Sequence, residues 1–113
     1  DVTIDYNYQL SDLSGLSGLT FIGGETHIFG NYALERLTGL EGLTSLAGGL
    51  LIASNSNLSS LSGLDGLTTV GGDLTIRYND DLCEDDVDAL VAQLSSFGGT
   101  LTNNNNLGTC PNS

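Results

Sequence analysis

The chain has 113 residues and a mass of 11.7 kDa, the size of one structural unit. Leu, Ile, Val and Phe supply 33 of those residues, enough for a packed core rather than a disordered chain. Fourteen acids against two arginines and no lysine give a net charge of −12, which excludes nucleic acid and anionic membranes as partners, because both need a basic surface.

A 24-residue repeat organises the chain from its first strand onward. Ile4, Ile28, Ile52 and Ile76 keep that spacing, as do Asn7, Asn31, Asn55 and Asn79 and then Leu10, Leu34, Leu58 and Leu82. Three more leucine columns (Leu13, Leu16 and Leu19 with their equivalents) and three glycine columns hold the same phase through the first three repeats. The unit reads x-L-x-I-x-x-N-x-x-L-x-x-L-x-G-L-x-G-L-T-x-x-G-G. Such a unit cannot bury its leucines alone, so the pattern predicts a mainly β solenoid of stacked 24-residue coils starting near 1, 25, 49, 73 and 100.

Within each coil the x-L-x-I segment alternates, placing Val2, Ile4, Ile28, Leu50, Ile52, Leu74 and Ile76 on the core side of a strand. Thr26 is the polar member of that series. The Asn after each strand has an amide that can satisfy backbone groups of its own and the next coil. Leucines then return every three residues, which suits a tight path close to a 3₁₀ turn. Gly-Gly pairs such as Gly23-Gly24 and Gly71-Gly72 read as corners that need positive φ.

The fourth repeat breaks over the acidic run 80–88. Val87, Leu90, Val91 and Leu94 then fall at helical spacing, which predicts one C-terminal capping helix over about 83–96, started by Asp81 with Glu84 and stopped by Gly98-Gly99. A last strand follows from Gly99 to Thr102, and Asn106 lies 27 residues after Asn79. Cys110 lies 27 residues after Cys83, which sets both on adjacent coils at disulfide range. A Cys83–Cys110 bridge is therefore expected, closing a loop whose constraint contributes on the order of 3.5 kcal/mol. The bridge places the protein in an oxidising compartment, either secreted or at a cell surface, periplasmic or outer-surface if the source is bacterial. The first strand has no cap ahead of it, which points to the C-terminal domain of a longer chain or to self-association through the open first coil.

The run Gly71-Gly72-Asp73-Leu74-Thr75-Ile76-Arg77-Tyr78-Asn79, with Leu82 after it, resembles the receptor L-domain pattern. That resemblance covers essentially residues 1–110. It implies a right-handed leucine-rich β-helix with an extracellular recognition or surface-structural role, and it carries no catalytic or ligand residues across.

The outward strand positions Asp5, His27, Phe29 and Arg77, with Tyr6, Tyr8 and Tyr32 just beyond the strands, hold the candidate site. Phe29, with Tyr6, Tyr8 and Tyr32 and with Asp5, His27 and Arg77 on the same face, offers flat rings and hydrogen-bonding groups suited to a glycan or protein. The plainer alternative is that these rings cover the rim of the first coils. His27 has no second histidine to share a metal, and a zinc site with the cysteines lacks its four ligands, so no metal or cofactor is expected. The 80–88 run lacks the order of a calcium loop and reads as a helix start. Asn57-Leu58-Ser59 is a glycosylation sequon, of weight only in a eukaryotic source.

Four functions compete. The first is an extracellular binding or adhesion module that recognises a cell-surface glycan or protein, without inserting into a membrane. The second is a structural spacer, fibre-end or cell-wall element that assembles as a homo-oligomer, or against a preceding domain, through its first coil. Ice binding through Thr20, Thr44 and Thr68 is third, since Phe21, Ser45 and Thr69 break the regular array it needs. An enzyme is last, because no nucleophile–base pair is legible.

Overall fold

The computed structural model describes residues 1–109. Its strands are β1 (Val2–Asp5), β2 (Phe21–Ile22), β3 (Thr26–Phe29), β4 (Ser45–Leu46), β5 (Leu50–Ala53), β6 (Thr69–Val70), β7 (Leu74–Arg77), β8 (Ser96–Phe97) and β9 (Leu101–Asn104). One helix, α1 (Glu84–Gln93), stands between β7 and β8. Odd-numbered strands form a five-stranded sheet in the order β1-β3-β5-β7-β9, and even-numbered strands a four-stranded sheet in the order β2-β4-β6-β8. Every pairing is parallel.

This arrangement corrects the expected mainly β, right-handed leucine-rich β-helix. Two all-parallel sheets with one helix make an α/β-like arrangement instead. The missed element is the second sheet. Its strands are two residues long, such as Phe21–Ile22 and Thr69–Val70, and too short to show an alternation in the sequence.

The 24-residue spacing does set the register. Ile4 pairs with Ile28, Ile28 with Ile52 and Ile52 with Ile76, so identical side chains stack inward. Ile28, Ile52 and Ile76 are fully buried, with Ile22, Leu46 and Val70 facing them from the smaller sheet. Leucines three apart reach the same core because consecutive turns are closed by i to i−3 bonds. Leu16 N–H donates to Leu13 O, Leu40 N–H to Leu37 O and Leu64 N–H to Leu61 O at 2.9–3.2 Å, with Leu19, Leu43 and Leu67 repeating the bond one turn on. The Gly-Gly corners need no positive φ. The described glycines with positive φ are Gly30, Gly39 and Gly63. The corners need bare backbone: a Cβ on Gly48 would stand 2.6 Å from Gly24 O, and one on Gly72 would stand 2.8 Å from Gly49 N.

Each strand of the larger sheet ends on a left-handed residue, Tyr6, Gly30, Ser54, Tyr78 or Asn105, with φ between 55° and 72°. That turn drives the following Asn into the core. Asn31, Asn55, Asn79 and Asn106 are buried, yet each amide is bonded on both sides. Asn55 Oδ1 accepts the backbone N–H of Asn31 at 2.9 Å, while its Nδ2 donates to Ile28 O at 3.0 Å. Asn79 and Asn106 repeat both contacts one repeat further on. These backbone partners belong to the preceding repeat, while the Nδ2 of Asn31, Asn55 and Asn79 also reaches the Asn Oδ1 of the next repeat at 3.0–3.3 Å and Asn79 Nδ2 bonds Arg77 O of its own. A second polar column lines the strand starts, where Asp1, Glu25 and Asp73 carboxylates accept N–H groups of Glu25, Gly49 and Thr100.

The helix is shorter than the expected 83–96. Its N-cap is Cys83, whose Sγ accepts from Asp85 N–H at 3.3 Å, rather than Asp81. It stops at an extended Leu94, before Gly98-Gly99, because the chain must enter β8. Val87 and Leu90 pack into the core, and Gln93 Nε2 donates to Leu64 O and Leu67 O, closing the turns of the neighbouring repeat. Asp86 titrates above the usual carboxylate range because partial burial strips its water and Asp85 adds a like charge. Cys110, the expected disulfide partner of Cys83, lies outside the described residues.

Two substitutions test this core. Asn55→Ala strands the buried Asn31 N–H and Ile28 O together, so denaturant unfolding should register a loss of about 3–5 kcal/mol. Thr26 sits in the apolar column opposite Leu50, and its hydroxyl is buried without a partner. Thr26→Val keeps the shape and removes that hydroxyl, so unfolding should show a gain of about 1 kcal/mol; a loss would mean the hydroxyl is satisfied in solution.

Candidate functional site

The outer face of the larger sheet carries a row of aromatic rings across its first two repeats. Tyr6 meets Phe29 edge-to-face, with centroids 5.2 Å apart and planes at 79°. Tyr6 also meets Tyr8 at 6.3 Å and 69°, and Tyr8 stacks on Tyr32 at 5.1 Å with planes 8° apart. Phe29, Tyr6, Tyr8 and Tyr32 thus form one continuous ridge. Phe29 is half-buried beneath it, whereas Tyr6, Tyr8 and Tyr32 remain 53%, 57% and 44% exposed.

Local backbone geometry seats this ridge. Tyr6 and Gly30 occupy equivalent left-handed positions on neighbouring repeats. A Cβ at Gly30 would come within 2.8 Å of Tyr6 Cδ1, so the missing side chain is the seat in which the Tyr6 ring lies. Tyr8 and Tyr32 stack because they share one position of the 24-residue repeat. Gly30 was not singled out in the sequence, although it alone puts glycine in a column otherwise filled by Tyr6, Ser54, Tyr78 and Asn105.

The remaining candidates divide by distance. Asp5 pairs with Phe29 in register, so its exposed carboxylate borders the ridge. His27 lies two residues before Phe29 on the same face. Arg77 is three strands from Asp5, about 14 Å at the usual strand spacing, and does not join the ridge. Its guanidinium stands 5.5 Å from the Tyr78 ring centre, a cation–π contact. His27 and Arg77 instead share a shallow depression of ≈ 460 Å³ with Glu25, Leu51, Asp73 and Thr75. Ala53, between Phe29 and Arg77 in register, is buried although it lies on the outward side.

Several acids and hydroxyls that look available in the sequence are committed to the frame. Glu25 and Asp73 hold backbone N–H groups, and the Asp12 carboxyl is kept below its ordinary range by hydrogen bonds from the Ser14 hydroxyl and amide. Thr44 and Thr68 hydroxyls donate to Thr20 O and Thr44 O, so this threonine column is partly spent on its own backbone. Among the described residues, no group of three or more His, Cys, Asp or Glu could hold a metal ion, and no helix is long and apolar enough to cross a membrane.

Gly30→Ala should evict the Tyr6 ring and place alanine at φ 72°. The expected outcome is a loss of about 1–2 kcal/mol in unfolding and an altered near-ultraviolet tyrosine signal; an unchanged signal would show that Tyr6 is not seated on Gly30. Comparison with family models, with curated proteins and with solved structures finds no match, so no family assignment is supported.

Proposed function

We propose that the protein is a carbohydrate-binding module, working outside the cell or at its surface, that takes a glycan on the ridge of Phe29, Tyr6, Tyr8 and Tyr32. The observation that carries this reading is the continuity of four rings on one face, with three of them about half exposed. A continuous row of exposed rings, unlike scattered ones, marks a surface that takes a partner. Their faces suit the C–H surface of a pyranose, and their hydroxyls can exchange hydrogen bonds with sugar hydroxyls. Asp5 supplies an acceptor at the border of the ridge.

Charge narrows the ligand. A surface at −12 repels sulfated and uronic-acid sugars, so neutral or amino sugars are favoured. Docking of a protein on the same face is the second reading, and the stacked Tyr8 and Tyr32 serve it equally well as an amphipathic anchor.

A glycan array separates the two. Wild type should retain neutral or amino sugars, and Tyr8→Ala should weaken that binding about tenfold or more. Tyr78→Ala, at the other side of the sheet beside Arg77, should leave it unchanged. Failure to bind any glycan, or equal binding by Tyr8→Ala, would sink the carbohydrate reading.

A further inference from the structure

We infer that the shallow depression in the middle of the larger sheet is a second binding site, separate from the aromatic ridge, and that it takes a short zwitterionic peptide. The carboxylate end of the peptide meets Arg77, and its ammonium end meets Glu25 and Asp73. This site does not depend on the carbohydrate reading of the ridge.

The floor of the depression is one outward column of the sheet. His27, Leu51, Thr75 and Thr102 stand in register on β3, β5, β7 and β9, beneath a volume of ≈ 460 Å³. Leu51 gives this floor a half-buried apolar centre. The Thr75 and Thr102 hydroxyls make no hydrogen bond among the described residues, so they can serve the peptide groups of a ligand. No Tyr or Phe ring lines the hollow, which leaves a pyranose nothing to stack on.

The walls carry opposite signs. On one side Glu25, Gly49 and Asp73 occupy equivalent positions, one residue before the paired Thr26, Leu50 and Leu74. A Cβ on Gly49 would stand 2.7 Å from Glu25 Oε2, so bare backbone is what lets that oxygen accept the Gly49 N–H at 2.7 Å. Asp73 Oδ1 accepts the Thr100 N–H at 2.9 Å. Each carboxylate is fixed through one oxygen, and the other, Glu25 Oε1 or Asp73 Oδ2, has no hydrogen bond among the described residues. On the other side stands Arg77. In a chain of fourteen acids and two arginines, its guanidinium makes no ion pair among the described residues and rests 5.5 Å from the Tyr78 ring centre. Glu25 and Asp73 are spent on backbone N–H groups instead, so Arg77 is a held but unneutralised cation, able to take a carboxylate by two parallel N–H bonds.

Spacing and charge select the ligand. Asp73 and Arg77 lie four residues apart on extended chain, about 13 Å. A single amino acid carries both charges on one carbon and cannot bridge that gap. An extended tripeptide spans about 10 Å, and the arginine side chain covers the remainder. A simple anion is repelled by the net charge of −12, so an ammonium must accompany the carboxylate. An apolar middle side chain then lies on Leu51.

The probe is alanyl-leucyl-alanine, titrated into the full chain at low ionic strength and followed by the NMR shifts of the Thr75 and Thr102 amides. The free tripeptide should bind with a Kd on the order of 1 mM. Amidating its C-terminus should weaken binding about tenfold, and acetylating its N-terminus about fivefold. Arg77→Gln, at an exposed position, should lose as much as amidation does, and amidation should then cost nothing further. Glu25→Gln with Asp73→Asn keeps the oxygens that accept backbone N–H groups and should reproduce the loss on acetylation. Tyr8→Ala should leave peptide binding unchanged. The proposal is overturned if the free tripeptide does not bind, if either blocked form binds as well as the free one, or if the losses from amidation and Arg77→Gln simply add. Loss of peptide binding in Tyr8→Ala would also overturn it, by moving the peptide to the ridge.

Discussion

Stacking the same residues at 24-residue intervals brings buried backbone into contact with buried backbone, and the chain must turn sharply at the end of each strand without leaving polar groups dry. The asparagine column meets that demand. Each Asn amide replaces one missing acceptor and one missing donor of the preceding repeat, at 2.7–3.3 Å. An aspartate would bring charge, and a serine could not span both partners. The left-handed residue before each Asn is the geometric cost of that contact, and four non-glycine residues accept it. Once these turns are held, the isoleucine and leucine columns fall into register by the same spacing.

This explains which features could be read without coordinates. Residues that stack on copies of themselves leave a periodic trace, so the inward isoleucines, the leucine turns and the asparagines were legible from spacing alone. Strands of two residues leave no such trace, and the four-stranded sheet went unseen although Ile22, Leu46 and Val70 keep the 24-residue phase. The glycine corners were placed correctly but for the wrong reason: at Gly48, Gly71 and Gly72 contact with a neighbouring backbone, rather than positive φ, excludes a side chain. At the helix start, the expected acidic cap at Asp81 gives way to Cys83, whose Sγ accepts the Asp85 N–H.

The outer face was legible in its membership and not in its grouping. Asp5, His27, Phe29 and Arg77 share one side of the sheet by alternation, with Tyr6, Tyr8 and Tyr32 just beyond the strands, yet alternation says nothing of which repeats lie near each other beyond nearest neighbours. Strand order then separates Asp5 from Arg77, while the glycine at position 30 draws Tyr6 onto Phe29. Irregular outward residues are therefore informative where the core is regular: the departure of Gly30 from its column marks the place where a ring is seated.

The two ends of the larger sheet carry the same logic in opposite directions. At β9, the inward position that should hold isoleucine holds Asn103, whose Oδ1 accepts from Asn106 Nδ2, so the last rung of the asparagine column is turned back on its own repeat. Further stacking there would have to desolvate a satisfied amide pair. At β1 the inward positions hold Val2 and Ile4, and the Asn7 backbone and side chain both lean on Asn31 below. Covering that end removes apolar surface from water and breaks no hydrogen bond within the chain. The asymmetry follows from one change of residue type in one column, isoleucine in β1 and asparagine in β9.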